Sequence, residues 1–297
     1  MSVHKTVLLN ETIDGLNLDD KSLVLDATFG GGGHSGEILK RFPKAKIIAL
    51  DQDKSVWDGS DLPAQAGKSI SFHNENFSDL DKVLKGEKVD AIIFDLGLSS
   101  DQLENSGRGF SFMKSEPLLM QMKNSEKESP LGEDLTAEDI VNTWEEKSLA
   151  DIIYGYGEER FSRRIAKGIV EARSKARIKT TSDLVKIISE VVPAAYRRGR
   201  LHFATRTFQA LRIAVNDELR VLQTGLEKGF DALKAGGRMS VITFHSLEDR
   251  IVKKFFKALE KEGKAILINK KPILASSEEL KKNPRARSAK LRILSRR

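Results

Sequence analysis

The chain has 297 residues, 39 % apolar and 31 % charged, the balance of a soluble globular protein with one large domain or two moderate ones. It contains no cysteine, which excludes disulfides, thiolate zinc sites, iron–sulfur clusters and any thiol nucleophile. The net charge of +7 is local: residues 270–297 hold ten Lys or Arg against two Glu, a balance of +8 that leaves the first 269 residues at −1.

The opening MSVHKTVLLNET lacks the basic-then-apolar layout of a signal peptide, and no apolar run approaches the ~18 residues of a membrane span. A cytoplasmic protein without membrane contact is expected. SLVLDAT (22–28), KIIALD (46–51), SISFHNENF (69–77) and VDAIIFDLG (89–97) read as buried strands, with helical spacing in HSGEILKRF (34–42) and SDLDKVLKG. Strands apolar throughout and separated by helices predict an α/β fold with a parallel sheet covered on both faces. The pattern changes near Asn105. A polar stretch (114–133) is followed by helical segments around 136–154, 158–176 and 181–192. From Ala204 one long helical pattern runs to a Gly-Gly stop at 236–237, then RMSVITFHS (238–246) reads as a strand and LEDRIVKKFFKALEK as a helix. AILINKKPIL and AKLRIL are expected to close the sheet as antiparallel strands. The organisation predicted is a discontinuous domain, 1–104 and 206–297, interrupted by a helical insertion at 105–205.

DATFGGGGHS (26–35) places four glycines between a strand and a helix, where bare backbone and a helix N-terminus favour a ligand with a negative group. GGGHSG at 31–36 fits G-x-G-x-x-G, and Asp51 ends the next strand twenty residues after Gly31, placed for a ribose hydroxyl. A nicotinamide cofactor would satisfy this loop equally. Asp26 favours another ligand: a carboxylate four residues before the first glycine repels a pyrophosphate but suits the ammonium of a methionine moiety. Asp26, Asp51, Phe77 after strand three and Asp95 after strand four form an ordered set that suits S-adenosyl-L-methionine, with Phe77 against the adenine. Taken singly, Asp26 is also a turn or helix cap and Phe77 a core residue. The five histidines (His4, His34, His73, His202, His245) show no metal-ligand spacing, and no metal is expected.

HKTVLLNE (4–11), DATFGGGGHS (26–35), DLGLSSDQL (95–103), RGFSF (108–112), YGEERFSRRIA (156–166), ATRTFQALRIAVNDEL (204–219), FHSLEDRIVKKFF (244–256) and NPRARSAKLR (283–292) follow one another along nearly the whole chain. In that order they resemble the bacterial 16S ribosomal RNA cytosine-N4 methyltransferases, the MraW-like family of the small ribosomal subunit. The resemblance implies a Rossmann-like class I S-adenosylmethionine-dependent methyltransferase sheet with an inserted all-helical, substrate-recognising domain. It implies cofactor contacts at Gly32, Gly33, His34, Asp51, Phe77, Asp95 and Gln102, and 16S rRNA in the small subunit as partner. The sequence departs from the pattern at 116–123. There EPLLMQMK replaces the usual GPLDMRMD, so Leu119 and Lys123 stand for aspartates and Gln121 for an arginine. Phe203 likewise replaces a proline before ATRTF. These departures keep open an alternative, a methyltransferase-like RNA-binding or ribosome-assembly protein with altered acceptor specificity.

An exocyclic amine gives its lone pair to the ring, so a methylating site must accept hydrogen bonds from that amine. Asp95 is the candidate acceptor, and His245, at the tip of the strand before LEDR, a candidate pocket residue. Ser99 and Ser100 read as turn caps. Methylation at cytosine C5 needs a thiolate on C6, which a chain without cysteine lacks.

Overall fold

The computed structural model describes residues 5–56, 62, 69–98, 102–103, 105–123 and 135–297. The apolar runs of the first third become β1 (Leu23–Asp26), β2 (Lys46–Leu50), β3 (Ile70–His73) and β4 (Val89–Asp95), joined by β5 (Leu233–Thr243), β6 (Ala265–Leu267) and β7 (Lys290–Arg296). Their order is β3-β2-β1-β4-β5-β7-β6. The first five strands run parallel, and β7 lies antiparallel to both β5 and β6. The expected α/β class and the two closing antiparallel strands are therefore present.

Alternation explains why these strands carry no polar face. Leu25, Ile92 and Phe94 pack on one side with Leu226, Phe230, Val252 and Phe256 from helices Glu218–Ala232 and Ser246–Lys261. Val24, Ala91 and Ile93 point the other way, into Ile13, Leu16, Ile38 and Leu39 from helices Leu9–Leu16 and Gly33–Arg41. Both faces are thus covered, as parallel strands require. Strand order turns back between β1 and β4, and the carboxyl ends of strands at such a point border a ligand crevice.

Two details differ from expectation. The 204–233 helix is broken: Thr205–Asn216 ends where Asp217 takes a left-handed conformation, φ 49°, and Glu218–Ala232 starts afresh. Aspartate tolerates that region better than most residues, so periodicity alone conceals the break. The strand expected from Arg238 begins earlier, at Leu233. Val89 pairs with Leu233 but Ala91 with Arg238, so 234–237 loops out, with Gly236 at φ 78°.

The chain separates into two compact units, Met1–Ser99 with Leu219–Arg297, and Ser100–Glu218. The helices of the second unit include Ala137–Thr143, Glu146–Gly155, Ser162–Arg173, Thr181–Val191, Ala194–Arg197 and Thr205–Asn216, while its described residues 105–123 are turns and bends with an isolated bridge from Pro117 to Thr180. Its own core includes Ile140, Ile153, Ile165, Leu184, Phe208 and Leu211. Thr136 with Asp139 and Thr180 with Asp183 form capping boxes at two of its helices. Helix 205–216 packs on helices 137–143 and 146–155, which carries this unit to Glu218 rather than to residue 205.

The basic C-terminal segment is not a free tail. Within β7, Arg292 Nε donates to Asp249 Oδ1 at 2.7 Å and Lys290 Nζ to Asp249 Oδ2 at 3.1 Å. Arg296 donates to the carbonyls of Phe230, Asp231 and Leu233. Three of its ten cations are thereby spent on the fold.

Candidate active site

The glycine loop is anchored from beneath. Asp26, 1 % exposed at the end of β1, accepts from the Ser35 hydroxyl at 2.6 Å and from the Thr28 N–H at 3.4 Å. Asp51, just past β2, accepts the Gly30 N–H at 2.9 Å on one oxygen and the Asp53 N–H at 2.9 Å on the other. Phe29 N–H donates to the Leu50 carbonyl at 2.9 Å. The helix that follows begins at Gly33 with no side chain capping it. Its first amides and positive dipole end therefore face the loop as an anion site.

Gly32 sits at φ 75°, and a Cβ there would lie 2.7 Å from the Phe29 ring. A Cβ on Gly33 would fall 1.8 Å from Thr6 Oγ1. Replacing Gly32 by alanine is expected to cost about 1–2 kcal/mol from the left-handed backbone alone. The thermal midpoint of the purified variant measures this, and a midpoint equal to the parent's would contradict the packing described.

Three carboxylates gather along the carboxyl edge of β1, β2 and β4, and each titrates high. Burial pushes Asp26 up to about 6. Burial pushes Asp51 up to about 6 as well, with Asp53 and Asp26 adding repulsion. Asp95 rises furthest, to about 8, first through burial and then through the charges of Asp26 and Glu248. One Asp95 oxygen is buried without a hydrogen-bond partner among the described residues, while the other lies 3.7 Å from His34 Nδ1. The Asp95 N–H donates to Thr28 Oγ1 at 2.6 Å, which ties β4 to the loop. An edge with three repelling acids beside an uncapped helix N-terminus fits a zwitterion that also carries a positive charge. It opposes a pyrophosphate.

The structure thus brings Gly32, Gly33, His34, Asp51 and Asp95 together around one loop. Phe77, at the start of a 3-10 turn after β3, meets Phe94 edge-on at 5.5 Å between ring centroids and covers Gly225. It is half-buried. His245 follows β5 and caps helix 246–261: its Nδ1 accepts the Glu248 N–H at 3.4 Å, and Glu248 Oε2 accepts the Phe244 N–H at 2.8 Å. Gln102 is buried in the other unit, where its carbonyl accepts from the Ser106 hydroxyl. Ser99, Ser100 and His4 lie outside the described residues. Sequence reasoning missed the roles of Ser35 and Thr28, whose hydroxyls hold Asp26 and the Asp95 backbone. The signal was the Thr and Ser inside DATFGGGGHS itself.

A model of the MraW methylase family matches residues 1–297. The chain belongs to that family. This MraW-family chain is 45 % identical over 309 residues to the ribosomal RNA small subunit methyltransferase H of Clostridium botulinum (strain Kyoto / Type A2), spanning 98 % of this chain and 97 % of the other. The protein of the same name from Acaryochloris marina (strain MBIC 11017) is 48 % identical over 296 residues, spanning 99 % and 94 %. Among solved structures, an rRNA methylase from Streptococcus thermophilus aligns with 95 % of this chain and 90 % of its own, at 11 % identity and a TM-score of 0.43.

In this MraW-family chain the divergent 116–123 stretch is built into the helical unit. Glu116 accepts the Gly109 N–H at 3.0 Å, and its own N–H donates to Thr181 Oγ1 at 3.1 Å. Arg108 donates to the carbonyls of Gln121 and Met122. Asn216 bonds Met120 and Met122 through their backbone. Lys123 is exposed. Most of these contacts use the main chain of the stretch.

Proposed function

We propose that this MraW-family methylase transfers a methyl group from S-adenosyl-L-methionine to N4 of a cytidine in the decoding region of 16S ribosomal RNA. The observation that carries the cofactor assignment is the carboxylate edge, three high-titrating acids beside an uncapped helix N-terminus. Names of relatives at 45–48 % identity support the ribosomal RNA acceptor. S-adenosylmethionine supplies an electrophilic methyl group on a sulfonium.

The chain's residues do the rest. Gly32 and Gly33 would admit the ligand's carboxylate to the helix amides, and Asp51 would accept from the ribose hydroxyls with its remaining lone pairs. Phe77 would border the adenine, with His34 as a further contact. Asp95 offers its unpartnered oxygen to the acceptor amine and draws off its hydrogen-bonding proton as the nitrogen pyramidalises. Positioning of this kind supplies much of the acceleration in an in-line displacement. The helical unit would recognise the substrate, and the small subunit would be the partner in a cytoplasmic setting. Among the described residues no helix is long and apolar enough to cross a membrane.

The test is mass spectrometry of nucleosides after incubating small subunits, or naked 16S RNA, with enzyme and labelled cofactor. Label is expected in N4-methylcytidine from assembled subunits, where an already unpaired base is cheapest to extrude. Label only in 2′-O-methylcytidine, or in no RNA nucleoside, overturns the reading.

A further inference from the structure

The helical unit carries a surface that the methyl-transfer site does not use. Glu159 is fully buried, accepts the Phe161 N–H at 2.8 Å and takes the hydroxyl of Tyr196. Burial and that carboxylate push the Tyr196 phenol up to about 12, so it stays a donor. This anchor locks the turn at 156–161 to the short helix Ala194–Arg197. Gly157 makes the close approach possible, because a Cβ there would meet the Arg206 carbonyl at 2.5 Å. Arg206 in turn donates to the Glu158 carbonyl at 2.9 Å.

The anchor gathers arginines. The guanidinium of Arg160 lies over Phe161 and Tyr196, 4.8 and 5.3 Å from the ring centroids. Arg163 and Arg164 are exposed on the helix that follows, and Arg197, Arg198 and Arg200 are exposed beyond Tyr196. Among the described residues none of these six pairs with a carboxylate, whereas the exposed Lys167, Arg177, Lys234 and Lys282 each do. No acid occurs between residues 191 and 216. All six are arginine, whose planar fork binds phosphate two-handed and stacks on rings.

An aromatic series adjoins them along the chain. Phe208 meets Phe112 edge-on at 5.3 Å, Phe112 stacks on His202 at 4.5 Å and 13°, and His202 stacks on Phe203 at 4.2 Å and 29°. His202 is exposed and Phe203 half-buried. The last ring exists because residue 203 is phenylalanine where the resembled pattern has proline. Rings that end in solvent beside unpaired arginines are what a single strand of RNA uses, bases on the rings and phosphates on the guanidinium groups.

We infer that Phe203 and His202, with Arg197, Arg198 and Arg200 and the anchored Arg160, form a docking face for unpaired RNA on the helical unit. This rests on the ribosomal RNA reading and adds where the strand is held. The C-terminal segment, with three of its cations spent on the sheet, is the rival surface.

The test is fluorescence anisotropy of a labelled single-stranded RNA of decoding-region sequence, titrated at several salt concentrations. The variant Arg197→Ala/Arg198→Ala/Arg200→Ala is expected to lower the log–log salt slope by about 2, at roughly 0.7 for each phosphate no longer neutralised. Phe203→Leu is expected to weaken binding about 5- to 100-fold at every salt without changing the slope. A variant neutral at Lys281, Lys282, Arg285 and Arg287 should keep the parental slope. If that variant loses the slope and the 197–200 variant keeps it, the docking face is wrong. Parental affinity in Phe203→Leu overturns the stacking. Calorimetry with S-adenosylmethionine on the same proteins separates the two readings, since a parent that ignores the cofactor ends the methyl-transfer proposal and leaves the RNA result intact.

Discussion

Asp51→Ala is expected to raise the dissociation constant for S-adenosylmethionine by a factor of at least about 10, and up to about 100 or more. A hydrogen bond to a charged group contributes about 1.5–3 kcal/mol, and the ribose presents two hydroxyls to this carboxylate. A second loss follows from the fold. The Gly30 and Asp53 N–H groups both end on Asp51, so the alanine variant leaves two donors unmet and loosens the glycine loop. The variant should therefore also melt earlier than the parent. Calorimetric titration and a thermal scan read the two effects separately. Unchanged cofactor affinity would remove Asp51, and with it the cofactor's placement, from the proposal.

Asp95→Ala is expected to lower kcat by a factor on the order of 10²–10⁴, the range for loss of a positioned proton acceptor. The pH dependence makes the prediction sharper. Asp95 titrates at about 8 in the free protein, so near neutrality it mostly holds a proton. A cation entering the site favours the carboxylate, so binding should release protons, and affinity should rise as pH climbs from about 6 to 8. Asn at this position cannot ionise, and the rise near pH 8 should vanish. Stability moves the other way. A carboxyl whose pKa is raised by folding contributes stability that is fully present below its unfolded value and is lost as pH rises through the folded one. For Asp26, Asp51 and Asp95 that loss spans roughly pH 4 to 8. The free Asp95→Asn protein should thus be more stable than the parent at pH 8, while a lower midpoint there would show that the carboxylate supports the fold.

Much of this arrangement was legible in the sequence, for a physical reason. Strands buried on both faces must be apolar throughout, so the acids that end them, Asp26, Asp51 and Asp95, stand out at their tips. What stayed hidden depends on partners distant in the chain. Asp26 reads as a ligand for an ammonium, and only the fold shows the Ser35 hydroxyl and the Thr28 N–H that reach back to it. His245 reads as a pocket residue, and the structure adds that it caps a helix together with Glu248, three residues on. The break at Asp217 has no glycine or proline to announce it. Arg212 bridges it by gripping Glu218 with two hydrogen bonds of 2.7 and 2.8 Å. The arginine surface was invisible because its residues are scattered from 160 to 200 and are gathered by one buried glutamate.

The position of β7 has a consequence in time. It lies between β5 and β6, so these two strands never touch, and β6 reaches the sheet only through a segment made later. Residues 5–8 depend on that end of the chain too: the Leu8 N–H donates to Glu279, and Asn283 donates to the Lys5 carbonyl. Such distant pairings close slowly, because loop entropy is lost before contacts reward it. The helical unit needs none of them, since its residues, Ser100–Glu218, are all made before β5, β6 and β7. On the ribosome that makes this protein, the helical unit can therefore be finished while the catalytic sheet is still missing its keystone. Its arginine face would be formed before the site that gives it purpose.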